Sequence, residues 1–147
     1  MRLGASMTYL VYDSAKPLLL GYFTLVLKTF SIESDKISKT KCRLLERYAD
    51  VDNSRYTAAI YLIAQIGKNF ALEEKNRISG DDLLLLAFER LYAAREIVGG
   101  KLVLVERDIR SPELARFYNR WNFQSWNERH DAKDGVTYDQ MICSLGR

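Results

Sequence analysis

The sequence predicts an α/β chain, a central twisted mixed sheet with helices on both faces, built around a βαβ crossover. Three observations predict it. Apolar runs of strand length, rich in Val, Ile, Thr and aromatic residues, recur from residue 7 to residue 145. One long helical pattern, 81–98, stands between two of these runs, 58–67 and 101–106. A second helix signal at 111 precedes a final pair of strand-like runs. Strands joined by such a helix are parallel with a right-handed crossover, whereas the flanking hairpins are antiparallel, so the sheet is mixed.

In chain order, "MTYLVYD" (7–13) reads as a strand and "SAKP" (14–17) as a turn. "LLLGYFTLVLKTF" (18–30) returns as a second strand, where Gly21 predicts a bulge or a close backbone approach. Residues 31–55 are polar and charged, with a short helix expected at about 40–48. "AAIYLIAQIG" (58–67) has the apolar density of a strand buried on both faces. The helix at 81–98 opens at "SGDD" and stops at Gly99-Gly100. Asp82, Glu89 and Glu96 fall on one stripe, and Leu84, Phe88, Leu91 and Val98 on another. "SPELARFYNRW" (111–121) has a capping serine with proline at the first helical position, and Asn122 suits the exit. "FQSWNERH" (123–130) and "GVTYDQMICSL" (135–145) form the closing hairpin. No repeat or linker divides the chain, so residues 1–147 are expected to form a single domain.

Composition narrows the function. A chain of 147 residues that is 48% hydrophobic and 28% charged is globular. Its wholly apolar runs, such as 83–88, are far short of the roughly 20 residues that span a membrane. The start shows no secretory pattern, which makes the cytoplasm the default location. Cys42 and Cys143 form no paired motif, and His130 is the one histidine, so neither a metal site nor a disulfide is expected. Lys28, Lys36, Lys39, Lys41, Arg43 and Arg47 outnumber Glu33, Asp35 and Glu46 over the same stretch. That stretch is either a solvated face or a patch for a polyanion or an acidic partner.

"KNRISGDD" (75–82) raises the central question of the site. A loop from strand to helix in a crossover is where open α/β sheets bind ligands. The helix start offers unpaired N–H groups and partial positive charge to a phosphate. Ser79 and Asp82 also read as a self-sufficient cap, and Asp81 and Asp82 repel an anion.

The order of elements, the motif "SPELARFYNRWNF" (111–123) and the closing strand pair resemble the GCN5-related N-acetyltransferase (GNAT) superfamily over residues 7–145. "YLIAQIGKN" and "EIVGGKLVLVE" resemble small bacterial toxin-type members. The resemblance implies transfer of an acetyl group from acetyl-CoA, as co-substrate, to a primary amine. It implies that Ile66, Gly67 and Lys68 bind the pantetheine arm through their backbone. It places the pyrophosphate against Lys75, Asn76, Arg77, Ile78, Ser79, Gly80 and Asp81. Tyr118 matches the tyrosine that protonates the departing thiolate. Glu106 and Asp108 are candidates for the general base, with a water chain as the alternative. A small amine, a protein amine and the amino group of a charged tRNA all remain open as acceptors, as does a homodimer.

The chain also departs from the pattern. At the phosphate loop only Gly80 is kept, with Lys75 and Ile78 at the other matching positions. Ser111 and Asn122 stand where the family often has asparagine and glycine. The strand and two helices with which members usually begin have no counterpart before residue 7. These departures leave a second function open, a GNAT-like interaction or regulatory module without efficient catalysis. An unrelated α+β ligand-binding domain is a third reading.

Overall fold

The computed structural model describes residues 6–72 and 78–146. Its elements are β1 (Ser6–Tyr12), β2 (Leu19–Glu33), a 3-10 turn at Ser34–Lys36, α1 (Lys39–Glu46), β3 (Asp50–Asp52), β4 (Arg55–Lys68), α2 (Gly80–Val98), β5 (Leu102–Asp108), α3 (Pro112–Arg120), β6 (Gln124–Asp131) and β7 (Val136–Ser144). The strand order is β1-β2-β4-β5-β7-β6, with the short β3 paired to β4. β4 and β5 are therefore sheet neighbours joined through α2, as the crossover requires. The contacts divide into two compact units, Met1–Leu27 with Tyr61–Gly99, and Lys28–Ile60 with Gly100–Arg147.

In the first unit β1 pairs antiparallel with β2, from Ser6↔Val26 to Tyr12↔Leu19. The register slips between Val11 and Tyr12, opposite Gly21 and Leu20. A Cβ on Gly21 would stand 2.7 Å from the Gly67 carbonyl oxygen, so β2 and β4 pass too closely there for any side chain. Gly21 thus serves both expected purposes. α2 buries Leu83, Leu84, Ala87, Phe88 and Leu91. Asp82, Glu89 and Glu96 lie exposed, as their common stripe predicts. Val98 does not share the buried face. It is 66% exposed, because the helical period runs on for a turn after the packed stretch has ended. Gly99, at φ 77°, then stops the helix, and the Tyr61 hydroxyl donates to its carbonyl.

In the second unit a two-residue turn, Asn53-Ser54, joins β3 to β4 with φ of 50° and 64°. This left-handed pair matches the twist of a tight hairpin. It makes β4 longer than the sequence suggests, beginning at Arg55. α1 sets Leu45 into a core with Tyr56, Ala58, Ile60, Leu102, Trp126 and Ile142. Alternation along β5 and β7 assigns Val103, Val105, Met141 and Cys143 to the opposite face, and these too are buried. β7 pairs antiparallel with both β5 and β6. Trp126 is the extra residue where the β6–β7 register shifts between Ser125 and Asn127.

Candidate active site

α3 begins as its sequence dictates. The Ser111 hydroxyl accepts from the Leu114 amide at 3.4 Å and Pro112 occupies the first turn. The helix ends where Asn122 takes φ 66° and the Phe123 amide donates back to the Tyr118 carbonyl at 3.1 Å. This brings Phe123 under Tyr118. The Tyr118 ring meets Phe123 edge-on at 5.6 Å and Phe117 at 5.1 Å, and the residue is only 5% exposed. Its hydroxyl makes no hydrogen bond among the described residues. Burial raises its pKa above the ordinary tyrosine value, so the group stays protonated at neutral pH.

Strand alternation sorts the charges at the end of β5. Glu106 and its cross-strand partner Gln140 share one face, and the Gln140 amide donates to Glu106 at 3.0 Å. Arg129 adds two hydrogen bonds to the same carboxylate, at 2.7 and 3.2 Å. Arg107 and its partner Asp139 share the opposite face and form an ion pair at 2.8 Å, with side chains 12% and 6% exposed. Ser125 donates to Asp139 at 2.7 Å. Asp108 receives both the Arg110 guanidinium, at 2.7 Å, and the Arg110 backbone amide. The Arg110 hydrogen bonds hold its pKa down to about 2. So low a value makes Asp108 a poor proton acceptor, and Glu106 is engaged by Arg129 and Gln140. Both candidate bases already have an arginine partner.

The first unit holds most of the other residues expected at the site. Ile66 near the end of β4 packs on a core of Leu20, Ile78 and Leu83, which brings the strand end and the loop end together. The Asn69 side chain donates to the Leu19 carbonyl at 2.9 Å and its amide to Leu20 at 2.9 Å, tying the strand end back to β2. Gly67 faces the Tyr22 ring so closely that a Cβ would lie 2.7 Å from it. Ile78 is buried, so its side chain belongs to the core. Lys75, Asn76 and Arg77 lie outside the described residues.

The start of α2 settles part of the loop question. Ser79 and Asp82 form a complete capping box, at 3.0 Å from the Asp82 amide to Ser79 and 2.9 Å from the Ser79 amide to Asp82. Two of the helix-start amides are thereby committed. Hydrogen bonds from Ser79 also lower the Asp82 pKa, which keeps its carboxylate negative. The Gly80 amide has no partner among the described residues.

No family model and no curated relative matches the sequence. Solved structures do match its fold. A bacterial toxin superposes with a TM-score of 0.63 at 17% identity, covering 96% of this chain and 68% of that one. Arabidopsis thaliana NAA60, in complex with a bisubstrate analogue, gives 0.59 at 12% identity over 97% of this chain and 77% of that one. AtaT complexed with acetyl-methionyl-tRNAfMet gives 0.54 at 17% identity over 91% and 70%. The chain has the GNAT fold. This GNAT-fold chain spans about two thirds to three quarters of the length of those matches. No helix in its described residues is long and apolar enough to cross a membrane.

Sequence reasoning missed the Arg107–Asp139–Ser125 group. Three positions spread over 33 residues of chain become neighbours only once the β5–β7–β6 register is fixed. The available signal was an arginine and an aspartate inside otherwise strand-like runs.

Proposed function

We propose that the chain is an acetyl-CoA-dependent N-acetyltransferase acting on a primary amine. The observation that carries this reading is Tyr118, a buried residue on α3 of a GNAT fold whose protonated hydroxyl makes no hydrogen bond among the described residues. In the proposed reaction the amine attacks the thioester carbonyl of acetyl-CoA and the CoA thiolate leaves. Tyr118 donates its proton to that thiolate as the charge develops. Ile66, Gly67 and Lys68 supply backbone groups to the pantetheine arm. The pyrophosphate rests at the start of α2, where the Gly80 amide and the helix dipole favour an anion. With the capping box holding two amides, phosphate binding is weaker than a glycine-rich loop provides. The amine proton leaves through water, since Glu106 and Asp108 are engaged elsewhere.

Replacing Tyr118 with Phe removes one oxygen and keeps the aromatic packing. Turnover is expected to fall about 100-fold or more while acetyl-CoA affinity stays the same. Equal loss of both would remove Tyr118 from the acid role.

A polyanionic acceptor, such as a charged tRNA, is supported by α1. Lys39 and Lys41 occupy its first turn, where positive charge opposes the helix dipole. Lys39, Arg43 and Arg47 are exposed and form no ion pair among the described residues. AtaT, one of the matched structures, is complexed with acetyl-methionyl-tRNAfMet.

A further inference from the structure

We propose that Arg107 is a positioning residue for Tyr118, acting by fixing the turn from which α3 departs. The inference rests on the acetyltransferase reading of Tyr118. The two N–H groups of one terminal guanidinium nitrogen of Arg107 are shared among three backbone carbonyls of that turn, those of Asp108 and Ile109 at 3.2 Å and of Ser111 at 3.1 Å. The other terminal nitrogen holds Asp139 on β7 at 2.8 Å. Asp139 is itself fixed by Ser125 on β6 at 2.7 Å. The turn is thus tied through one planar group to two further strands. The Ile109 amide adds a second tie, to the Thr137 carbonyl at 3.0 Å.

The Nε of Arg107 is buried without a hydrogen-bond partner among the described residues, so the guanidinium acts through its two terminal nitrogens. An ion pair with Asp139 alone needs no such orientation. Serving the turn carbonyls from one nitrogen and the Asp139 carboxylate from another requires a planar fork of donors, which guanidinium has and the single nitrogen of an ammonium lacks. Ser111 and Pro112 define where α3 starts, but they are local to the helix and do not aim it.

Aim matters because of leverage. Tyr118 is the seventh residue of α3, which spans Pro112–Arg120. At 1.5 Å per residue it lies about 10 Å along the helix, so a tilt of about 10° at the turn displaces it by about 2 Å. A misplacement of about 1 Å can cost about 100-fold in rate.

The test compares Arg107→Lys and Arg107→Ala with the parent chain. Arg107→Lys keeps a cation against Asp139 and loses the fork, so it is the informative variant even if Arg107→Ala fails to fold. Three quantities are read. One is the titration of Tyr118 by NMR of labelled tyrosine, assigned with Tyr118→Phe. Another is hydrogen exchange over residues 111–118. The last is thiol release from acetyl-CoA with whichever primary amine in a test panel supports most turnover. Arg107→Lys is expected to melt close to the parent. Its Tyr118 titration should move down towards the ordinary tyrosine value, and exchange at 111–118 should quicken at least about tenfold. Its kcat should fall about 100-fold with KM for acetyl-CoA within about twofold. An unchanged Tyr118 titration and unchanged exchange in Arg107→Lys would overturn the proposal. So would full kcat in that variant. If no amine supports turnover in the parent, the acetyltransferase reading fails, while titration and exchange still decide whether Arg107 positions Tyr118.

Discussion

Gly21→Ala tests the packing that brings β4 to the place proposed for the pantetheine arm. The added Cβ would lie 2.7 Å from the Gly67 carbonyl oxygen and 3.0 and 3.1 Å from the two Leu83 methyl carbons. The first contact is with backbone, so no side-chain rotation relieves it. The Leu83 contacts close the other direction, since Leu83 is buried in the cluster with Leu20 and Ile78. Relief requires β2 and β4 to part by several tenths of an ångström. Overpacking of this kind costs about 1–3 kcal/mol. Against it stands a gain of about 0.4–1 kcal/mol from the stiffer unfolded chain. The net expectation is a loss of about 1–2 kcal/mol, and with an m-value of about 1–3 kcal/mol per molar urea the midpoint drops by about 1 M. Urea denaturation followed by far-UV circular dichroism measures this. Because the clash falls on Gly67, acetyl-CoA affinity should weaken as well. A variant as stable as the parent would refute the close approach. A destabilised variant that binds acetyl-CoA as tightly as the parent would instead separate Gly67 from the pantetheine.

The ion pair Arg107–Asp139 is buried, so Asp139→Ala leaves an unpaired cation and should cost about 3–5 kcal/mol in urea denaturation. Ser111→Ala removes the α3 cap and should cost about 1 kcal/mol in the same measurement. Asp108 has a folded-state pKa of about 2, below its ordinary 3.8. Its contribution to stability is therefore complete above pH 3.8 and is lost as the pH falls through about 2. Asp108→Asn should remove that acid-limb change, and a carboxyl NMR titration of Asp108 should show the low value directly. If α1 meets a polyanion, tRNA affinity should fall with added salt and fall less steeply in Lys39→Ala/Arg43→Ala; a salt-independent affinity would rule α1 out.

The parts of the fold that were legible from sequence are those set by local chemistry. Ser79 with Asp82, Ser111 with Pro112, Gly99 and Asn122 mark helix ends through caps and left-handed exits, and all four are where the pattern put them. Val98 was misassigned because a period along a helix does not reveal where the surface beneath it stops. β3 was missed because "DVD" has no strand signal of its own and exists only through pairing with β4 across Asn53-Ser54. The candidate site divides in the same way. Tyr118 was legible through its local setting in "FYNRWNF". Arg107 and Asp139 were not, because their partnership depends on strand register, which no short window carries. The loop proposed for the pyrophosphate falls between these cases, since its cap is visible in sequence while the amides left over depend on the fold.

Isothermal titration of acetyl-CoA into the purified chain decides whether it holds the proposed co-substrate. Saturable binding at one site per chain is expected, weakened by Gly21→Ala and unchanged by Tyr118→Phe. Absence of any binding heat at millimolar acetyl-CoA, from a chain shown to be folded by its urea transition, would contradict the acetyltransferase reading.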